Sequence, residues 1–479
     1  MKLQRLQPNK ASGPDEISIN VLRNCLNFDK PLAILFQQSL DSGKLPQDWK
    51  DANVTPLFKK GSRLNYSNYR PVSLTSQIVK IIERCVLDHV QKILKDNNFI
   101  NSCQHGFQAG CSCVTQLLES MEDWTSNLDN GSSTDIVYMD FAKAFDRVPH
   151  QRLILKVRQA GIQGTVATWI SKFLQGRRQR VILRNGTSTW RHVSSGVPQG
   201  SILGPTLFLV FVNDLPDQLF STAKMFADDT KLYRKIHNVE DCNKLQDDLD
   251  KLSEWSRKWL LTFNETKCVV LRINQAIDFQ YKLNNIILEE IPTQKDLGIH
   301  VANNLHPRYH ISKVVKSANQ KLGLIKRCFT NFSSKKVSIL YKSIIRPVLE
   351  YGSPVWAPWQ KKDIDVLENV QSKVMKLCYC RDQISLESLQ SRRNFFDLCE
   401  VYKLMHGLYK TPANTFFPCP QRPLRGHAYK IFKRRSRVDV RKQFFTNRVV
   451  DRWNALPAEV VSAETLNDFK RLLKSLPPE

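Results

Sequence analysis

Two adjacent carboxylates, Asp228 and Asp229, constrain the fold of this chain most, because short apolar runs lie on both sides of them. Residues 225–227 and 232–233 are apolar, so the pair is predicted at the turn of a β-hairpin, where neither strand buries it. Neighbouring carboxylates repel, and burial raises their pKa unless a cation compensates. A divalent cation with oxygen ligands is the simplest compensation. The alternative is a solvated surface turn, where Asp is common.

A third carboxylate, Asp140, follows four apolar residues at 136–139. This pattern predicts a buried strand that delivers Asp140 at its tip. The separation of 228 − 140 = 88 residues leaves room for helices and a hairpin before the chain returns to the same sheet. Three carboxylates at the ends of neighbouring strands would form a two-metal site, which can activate a hydroxyl and stabilise a leaving pyrophosphate.

The overall charge favours a polyanionic partner. The chain of 479 residues has 71 Lys and Arg against 45 Asp and Glu, a net charge of +26, which suits nucleic acid or an anionic membrane surface. Its 42% hydrophobic content excludes a disordered basic tail and allows about two to four domains or subdomains. Membrane insertion is not expected, since the most apolar stretch, Ile202–Val212, is about half a span long.

The twelve cysteines are scattered without a regular framework, which is typical of reduced thiols in an intracellular protein. Cys111 with Cys113 and Cys378 with Cys380 form Cys-x-Cys pairs, but no second pair or spaced histidines match them. Ordinary thiols are therefore preferred over a zinc site.

Two segments are strongly basic. Residues 308–346 contain ten Lys and Arg and no acid, interleaved with apolar residues, which predicts amphipathic helix with a cationic face for phosphate backbone. A solvated helix surface is the alternative. Residues 422–448 contain ten Lys and Arg and one acid, Asp439. This second cluster fits either a backbone-binding surface or a nuclear import signal, and the sequence does not separate the two.

The middle of the chain mixes predicted helix and strand. Asn185-Gly186 between strand-like arms predicts a hairpin over Gln179–Val193. Helical patterns cover Val148–Ala160, Leu207–Phe211 and Val239–Trp259. Asp146 is expected to be a helix N-cap and Asp214 a turn residue.

A series of motifs, taken in chain order, resembles the reverse transcriptase of non-LTR (LINE-type) retrotransposons, especially the jockey-like branch. These motifs are Lys10-Ala-Ser-Gly-Pro-Asp15, Asn68-Tyr-Arg-Pro-Val-Ser-Leu74, Gln104-His-Gly-Phe107, Asp140-Phe-Ala-Lys-Ala-Phe-Asp146, Gly196-Val-Pro-Gln-Gly-Ser-Ile-Leu-Gly-Pro205, Phe226-Ala-Asp-Asp229, Lys295-Asp-Leu-Gly-Ile299 and Arg346-Pro-Val-Leu-Glu-Tyr-Gly352. The resemblance implies an α+β right-hand polymerase of fingers, palm and thumb, with a mixed helical C-terminal region. It implies an RNA-directed DNA polymerase that adds dNTPs to a primer 3′-hydroxyl.

The resemblance also assigns functional residues. Asp140 and Asp228 would be direct ligands of two Mg²⁺ ions, with Mn²⁺ as a substitute, and Asp229 would complete the acidic cluster. The residues implied for dNTP binding are Lys59, Arg70, Phe145, Gln199 and Lys267. Lys59 and Arg70 would grip the triphosphate, Phe145 would lie under the sugar, and Lys267 would lie near the leaving pyrophosphate. From the residues alone, Phe145 fits an ordinary core aromatic equally well.

The resemblance further implies a division of the chain and a set of partners. Residues 1–50 would lead into the fingers, 51–300 would form fingers and palm, 301–410 a basic helical thumb-like region, and 411–479 a basic C-terminal region. The side chains expected on nucleic acid are Lys313, Lys316, Lys321, Lys326 and Arg327. The partners would be an RNA template, a DNA primer or target and dNTPs, with no membrane, a separate or missing endonuclease, and a location in nucleus and cytoplasm.

Gln108 and Cys111 depart from the family's pattern, which has arginines after Gly106-Phe107. Losing two cations is expected to impair the chemistry, and restoring Arg at both positions to raise primer extension. The alternative function is a catalytically decayed or repurposed RNA-binding remnant of such an element.

Overall fold

The computed structural model describes residues 3–4, 6–25, 27–329, 333–377, 386–418 and 426–476. Helices and strands alternate along the first 300 residues and helices follow, which confirms the predicted α+β class. The strands are β1 Asp51–Phe58, β2 Tyr69–Leu74, β3 Ser133–Met139, β4 Arg177–Leu183, β5 Gly186–Thr187, β6 Arg191–Val193, β7 Thr222–Phe226, β8 Asp229–Ile236, β9 Val269–Ile273, β10 Lys282–Leu283, β11 Ile286–Ile287, β12 Glu289–Glu290, β13 Thr293–Asp296 and β14 Ile299–Ala302.

The α-helices include short single turns as well as long amphipathic rods. They are α1 Ile19–Asn24, α2 Asp29–Ser42, α3 Gln47–Lys50, α4 Gln77–Asp96, α5 Cys113–Asp129, α6 Ala144–Arg147, α7 His150–Gln159, α8 Gly164–Leu174, α9 Gly204–Val212, α10 Val239–Trp259, α11 Arg308–Cys328, α12 Ser334–Leu340, α13 Arg346–Glu350, α14 Ser353–Trp356, α15 Lys361–Met375, α16 Leu389–Met405, α17 Asp439–Lys442, α18 Phe445–Arg448, α19 Val450–Ala455, α20 Ala458–Val461 and α21 Leu466–Ser475. None of the described helices is long and apolar enough to cross a lipid bilayer.

The central sheet has five strands in the order β12-β9-β3-β8-β7. β3 lies in the middle, antiparallel to both β8 and β9, and every one of its residues is buried. Ile136 and Tyr138 belong to the core cluster shared with α5, whereas Val137 and Met139 belong to the cluster shared with α7, α9 and α10. Side chains alternate between the faces of a strand, so both faces of this sheet are covered and its strand ends are the accessible places.

A second sheet has the order β2-β1-β4-β5, and β6 also pairs with β4. β1 and β2 form an antiparallel hairpin, and β4 runs parallel to β1. The predicted hairpin at Gln179–Val193 is present, but Leu183 pairs with Gly186, so the two turn residues are Arg184 and Asn185. The turn therefore comes one residue earlier than the Asn-Gly signal indicated.

The predicted central helices are present with small shifts of their ends. α10 covers Val239–Trp259 as predicted, and its N-cap is Asn238, whose side chain accepts the Asp241 backbone N–H. α9 extends the predicted helix to Gly204–Val212, starts with a proline in its first turn, and is buried on nearly all sides. A helix that is apolar all round belongs in the core rather than at the surface.

The C-terminal helices share one continuous core with the central sheet. This cluster of buried side chains runs from Ile136 in β3 through Leu322 in α11 to Phe469 in α21. The helix between them is α5, which contacts β3 on one side and α14 and α17 on the other. The sheet and the C-terminal helices therefore support each other through α5.

The second basic segment is divided between the interior and the surface. Arg441 is buried and pairs with Glu122 of α5 at 2.5 Å, and Arg448 pairs with Asp397 of α16 at 2.8 Å. Arg435, Arg437 and Lys442 remain exposed, and residues 422–425 lie outside the described residues. The two surface interpretations of this cluster therefore apply only to part of it.

Candidate active site

The strand register brings Asp140 and Asp229 to the same edge of the central sheet. Met139, the last residue of β3, pairs with Thr230 of β8. Asp140 follows Met139 and Asp229 precedes Thr230, so the two carboxylates leave neighbouring antiparallel strands side by side. Phe226 pairs with Asp229 across the β7–β8 hairpin, which places Asp228 in the two-residue turn. Asp140, Asp228 and Asp229 are hereafter called the acidic corner.

The turn that presents Asp228 has a strained backbone and a dedicated support. Ala227 has φ +57°, a left-handed conformation that disfavours side chains other than glycine. The side-chain oxygen Oε1 of Gln104 accepts the Ala227 N–H at 2.9 Å and the Gly106 N–H at 2.7 Å. Because Gln104 is buried, this pair of bonds fixes the turn from beneath.

The segment 103–106 also lines the edge of β7. The Met225 N–H donates to the Cys103 carbonyl at 2.9 Å, and the His105 N–H donates to the Met225 carbonyl at 2.8 Å. A Cβ on Gly106 would overlap the Ala227 nitrogen and would lie 2.9 Å from the Phe226 carbonyl carbon. The sequence motif was recognised from its resemblance, but the supporting function of Gln104 and Gly106 was missed, because it depends on a contact across more than 100 residues.

Burial and, after it, neighbouring negative charges raise the pKa of two carboxylates of the acidic corner. Burial raises the pKa of Asp228, and the charge of Asp140 raises it further, while Lys59 and Arg70 oppose the shift. Partial removal from solvent raises the pKa of Asp229 to about 6, and the charges of Asp228, Asp296 and Asp140 contribute in that order. The Asp229 side chain still reaches the solvent, which screens part of this repulsion. The corner therefore has an excess of negative charge.

One cation already contacts the corner. Lys267, in the turn before β9, places its Nζ atom 2.9 Å from Oδ2 of Asp140, and its side chain is 57% exposed. The Asn264 N–H donates to the Asp140 carbonyl at 2.7 Å, so backbone and side chain both tie this turn to β3. Lys267 was predicted near the leaving pyrophosphate, which stays a prediction; in this structure its ammonium contacts the first carboxylate.

The donor set of the corner suits a hard divalent cation. All three side chains offer carboxylate oxygens, and two of them have raised pKa values that a bound cation would reverse. Among the described residues, no group of three or more His, Cys, Asp or Glu is arranged to hold a metal ion by itself. Mg²⁺ is typically held by one or two carboxylates together with water and substrate phosphates, so an open corner is sufficient for it.

The two predicted triphosphate-binding cations lie on the β1–β2 hairpin. Arg70 pairs with Leu57 in the hairpin register, and the Lys59 N–H donates to the Asn68 carbonyl at 2.8 Å. Both side chains are exposed, and both lie close enough to the corner to lower the pKa of Asp228. The hairpin therefore faces the carboxylates with positive charge.

Phe145 lies half-buried at the floor of the cleft. Its ring stacks on Phe208 of α9 with centroids 4.5 Å apart, and Phe107 contacts it edge-on at 6.3 Å. Phe107 itself is 55% exposed. One face of Phe145 thus belongs to the core, so both sequence interpretations of this aromatic remain compatible with the structure.

Gln199 connects the cleft to α6. Its Nε2 donates to Oδ1 of Asp146 at 2.9 Å, and its carbonyl accepts the Ser73 N–H at 2.7 Å. The N-cap prediction for Asp146 is wrong: Asp146 lies inside α6, whose N-cap is Lys143. Burial raises the pKa of Asp146, while Gln199 and Lys143 lower it. The side chain is used to position Gln199 rather than to start a helix.

Asp214 lies in the turn after α9, as predicted. The Lys156 ammonium, which is 3% exposed, lies 2.5 Å from Oδ1 of Asp214. The Trp255 indole N–H donates to the same oxygen at 2.9 Å. Burial lowers the pKa of Lys156 to about 8 in spite of this partner. This pair holds α7, α9 and α10 together and lies apart from the acidic corner.

The basic residues of α11 are arranged as an amphipathic helix requires. The apolar side chains of α11, Ile311, Val314, Ala318, Leu322 and Ile325, are buried. At about 100° per residue, Lys313, Lys316 and Arg327 point away from this core face. Lys321 and Lys326 lie at the two sides of the core face. Three of the five predicted cations therefore share the face opposite the core, and the other two border the core.

The cysteines of the predicted Cys-x-Cys pairs carry no disulfide where the structure describes them. Cys111 and Cys113 are both free and partly buried. Burial raises the pKa of the Cys111 thiol, and Lys410 opposes the shift. Cys378 and Cys380 lie outside the described residues.

An antiparallel sheet with an acidic hairpin, facing a basic hairpin across a cleft, defines the palm and fingers of a right-hand nucleic-acid polymerase. The chain belongs to the reverse transcriptase (RNA-dependent DNA polymerase) family, whose sequence pattern matches residues 58–301, just over half of the chain. The fold implied by the sequence motifs is therefore confirmed. Members of this family generally use divalent metal ions.

The relatives of the chain include several proteins of mobile elements. It is 28% identical over 397 residues to the "Probable RNA-directed DNA polymerase from transposon X-element" of Drosophila melanogaster. The matched region covers 78% of this chain and 42% of that protein. The "Probable RNA-directed DNA polymerase from transposon BS" of the same species is 27% identical, covering 72% of this chain and 40% of that protein.

The "RNA-directed DNA polymerase from mobile element jockey" of Drosophila melanogaster is 27% identical, with coverage of 78% and 42% respectively. These relatives confirm the predicted resemblance to jockey-like elements. The chain spans about two fifths of the length of the curated relatives it matches.

Proposed function

We propose that this chain is the RNA-directed DNA polymerase of a non-LTR retrotransposon, which extends a DNA primer on an RNA template. The observation that carries the proposal is the register of β3 and β8, which sets Asp140 beside Asp229 and next to the turn residue Asp228. Three carboxylates at an open sheet edge, with the pKa of Asp228 and of Asp229 raised, suit metal-dependent phosphoryl transfer.

Asp140, Asp228 and Asp229 would hold two Mg²⁺ ions, or Mn²⁺ in their place. When bound, the ions supply Lewis acidity that lowers the pKa of the primer 3′-hydroxyl, and positive charge for the leaving pyrophosphate. The protein's own contribution is to hold the carboxylates in place through Gln104 and Gly106. Positioning of this kind supplies much of the rate of phosphoryl transfer.

The nucleotide would bind between the β1–β2 hairpin and the acidic corner. Lys59 and Arg70 would hold the triphosphate, since Arg binds phosphate with two parallel hydrogen bonds and Lys acts as a point charge. Phe145 would lie under the sugar, with Gln199 oriented beside it by Asp146. Lys267 would move from Asp140 toward the phosphates once a metal ion replaces it at the carboxylate.

The remaining regions would hold the nucleic acid. Residues 1–50 would lead into the fingers and 51–300 would form fingers and palm, while 301–410 would act as the thumb and 411–479 as its C-terminal support. Exposed Lys313, Lys316 and Arg327 on α11 would contact the phosphate backbone, with Lys321 and Lys326 at the sides. An element that copies RNA into genomic DNA would act in both cytoplasm and nucleus.

The proposal is tested by extension of a DNA primer on an RNA template with Mg²⁺ and dNTPs. The double variant Asp228→Asn with Asp229→Asn should lower incorporation by about 1,000-fold or more while leaving template binding unchanged. Asp365→Asn, on the exposed face of α15, is the matched carboxylate control. Full extension by the double variant would exclude the acidic corner as the catalytic site.

The same measurements test the alternative of an RNA-binding remnant. Such a protein would bind RNA tightly and lose affinity steeply with salt, yet incorporate no nucleotide at any Mg²⁺ or Mn²⁺ concentration. Incorporation by the unmodified chain that depends on the three carboxylates would exclude it.

A further inference from the structure

One loop of the C-terminal half of the chain contacts the segment that follows Phe107. This loop follows α16, and its Lys410 N–H donates to the Gly110 carbonyl at 2.9 Å. The Lys410 side chain continues to Gln108, where Nζ donates to Oε1 at 2.8 Å. Lys410 is thus held by its backbone at Gly110 and by its side chain at Gln108, which lies 302 positions earlier in the sequence.

The charge of Lys410 lacks an acidic partner among the described residues, whereas two other lysines of this half form ion pairs. Lys403 contacts Glu400, and Lys433 contacts Asp451. The partner of Lys410 is instead a neutral amide oxygen, which orients an ammonium without cancelling its charge. The Lys410 side chain is exposed, so its charge is open to solvent.

The loop around Lys410 is anchored on both sides. Thr411 is buried and donates to Glu119 of α5, and the Tyr409 hydroxyl donates to Glu400. Burial acts against ionisation of Glu119, but His105 and Lys224 outweigh it and lower its pKa to about 2. Glu119 is therefore a permanent anion that fixes Thr411, and Lys410 has little freedom to move away.

The position of Gln108 places this ammonium near the chemistry. Gly106, two residues earlier, packs on the turn that carries Asp228. Phe107 is the edge-on ring against Phe145. A cation fixed immediately after these residues lies at the rim of the cleft where the nucleotide and template strand are proposed to bind.

We propose that Lys410 is a phosphate-binding residue of the active-site cleft, contributed by the C-terminal half of the chain and oriented by Gln108. This inference rests on the proposed polymerase function. Its ligand is a phosphate, either of the template–primer backbone or of the incoming nucleotide. The cation that the sequence lacked at position 108 is thereby present, supplied from a distant part of the chain.

The test uses the full chain with Lys410→Ala, a fluorescent RNA template annealed to a DNA primer, and dNTPs. A backbone contact predicts that Kd for the duplex, measured without dNTPs, rises on the order of 10-fold and that the salt slope falls by about one. A triphosphate contact predicts unchanged Kd and a comparable rise in KM for dNTP. Lys474→Ala on α21 is the matched lysine control and should change neither.

A rescue variant separates a binding role from a structural one. Gln108→Arg in the Lys410→Ala background returns a cation to the same place and should restore most of the lost affinity. Gln108→Arg alone would set two cations together, so it should give no gain in primer extension. The proposal is overturned if Lys410→Ala leaves both Kd and KM unchanged, or if its loss is not rescued by Gln108→Arg.

The measurement of Kd for the duplex does not depend on catalysis. If Kd responds to Lys410→Ala but no primer is extended, the polymerase function fails and Lys410 stands as a nucleic-acid contact. If extension proceeds and neither constant changes, the polymerase function stands and the role of Lys410 is refuted. Thermal melting of each variant shows that the fold is intact, since Lys410 is exposed.

Discussion

The Nζ atom of Lys267 lies 2.9 Å from Oδ2 of Asp140, so the first carboxylate of the acidic corner already has a cationic partner. A metal ion that binds Asp140 must compete with this ammonium. The pair is largely exposed, and exposed ion pairs contribute below about 1 kcal/mol. The competition is therefore weak enough for millimolar metal to displace Lys267.

Lys267→Met should tighten apparent Mg²⁺ binding by about 2- to 5-fold, because removing an exposed ion partner frees the Asp140 oxygen. The same change should lower kcat, since the ammonium would no longer reach the phosphates. Metal titration and steady-state primer extension measure the two effects separately. Lys282→Met on β10 is the exposed lysine control; a lower kcat with unchanged metal affinity would contradict the competition.

Mg²⁺ binding should depend on pH because Asp229 carries a raised pKa of about 6. Below this pH the folded chain holds a proton that the metal must displace, so affinity should rise with pH and level off above about 7. Titration calorimetry at pH 5.5, 6.5 and 7.5, in buffers of different ionisation enthalpy, measures the proton released. Equal affinity at all three values would contradict the prediction.

Without metal, ionisation of Asp229 should lower the stability of the fold as pH rises, whereas the same ionisation raises metal affinity. A carboxyl whose pKa is raised on folding costs stability above its folded pKa, and this cost vanishes below its unfolded value. Asp229→Asn should therefore raise the melting temperature slightly at pH 8, and not at pH 3.5. Solvent screening at this exposed side chain keeps the effect below about 1 kcal/mol.

The sequence predicted the acidic corner because its signals are local. A strand that ends in Asp140 and a hairpin with Asp228 in its turn each follow from a few consecutive residues, and register then forces them together. α10 was predicted from its local helical pattern for the same reason. The Asp146 interpretation failed because the partner that defines its role, Gln199, lies 53 residues away.

The second basic segment, residues 422–448, shows where prediction from local sequence fails. Its cationic composition indicated an outer surface, yet Arg441 is buried against Glu122, 319 residues earlier in the chain. Composition reports charge but not its partner, and partners at long sequence separation are set by tertiary packing alone. Lys410 was missed for the same reason, since only its contact with Gln108 gives it a place in the cleft.

Gly106→Ala should damage the catalytic turn without adding or removing charge. The new Cβ would overlap the Ala227 nitrogen and approach the Phe226 carbonyl carbon to 2.9 Å, so the turn must shift. We expect a loss of about 1–3 kcal/mol in stability and a fall in kcat of at least about 10-fold, because small displacements of reacting groups are costly.

Gly323→Ala in α11 is the matched control, since its Cβ would meet no atom within 4 Å. Alanine is the better helix former, so this variant should be neutral or more stable by about 0.5–1 kcal/mol. Chemical denaturation and primer extension measure both variants. A Gly106→Ala protein with the activity and stability of the Gly323→Ala protein would show that the turn tolerates displacement.

Glu122→Gln should destabilise the whole chain, because Glu122 connects α5 to the C-terminal helices. Both of its oxygens accept from Arg441, at 2.5 and 2.8 Å, and Arg434 and Thr446 donate to it at 2.6 and 2.8 Å. Glutamine would leave the Arg441 guanidinium, which is 3% exposed, without a counter-charge. Breaking one side of a buried ion pair costs about 3–5 kcal/mol, seen as a lower denaturant midpoint.

Two further variants identify why Glu122→Gln lowers the stability of the chain. Asp365→Asn breaks the exposed pair with Lys361 on α15 and should cost less than about 0.5 kcal/mol. Glu122→Met combined with Arg441→Met replaces both buried charges by apolar groups and should recover much of the stability lost in Glu122→Gln. If the double variant is less stable than Glu122→Gln, the hydrogen bonds from Arg434 and Thr446, rather than the unpaired charge, hold the C-terminal helices against α5.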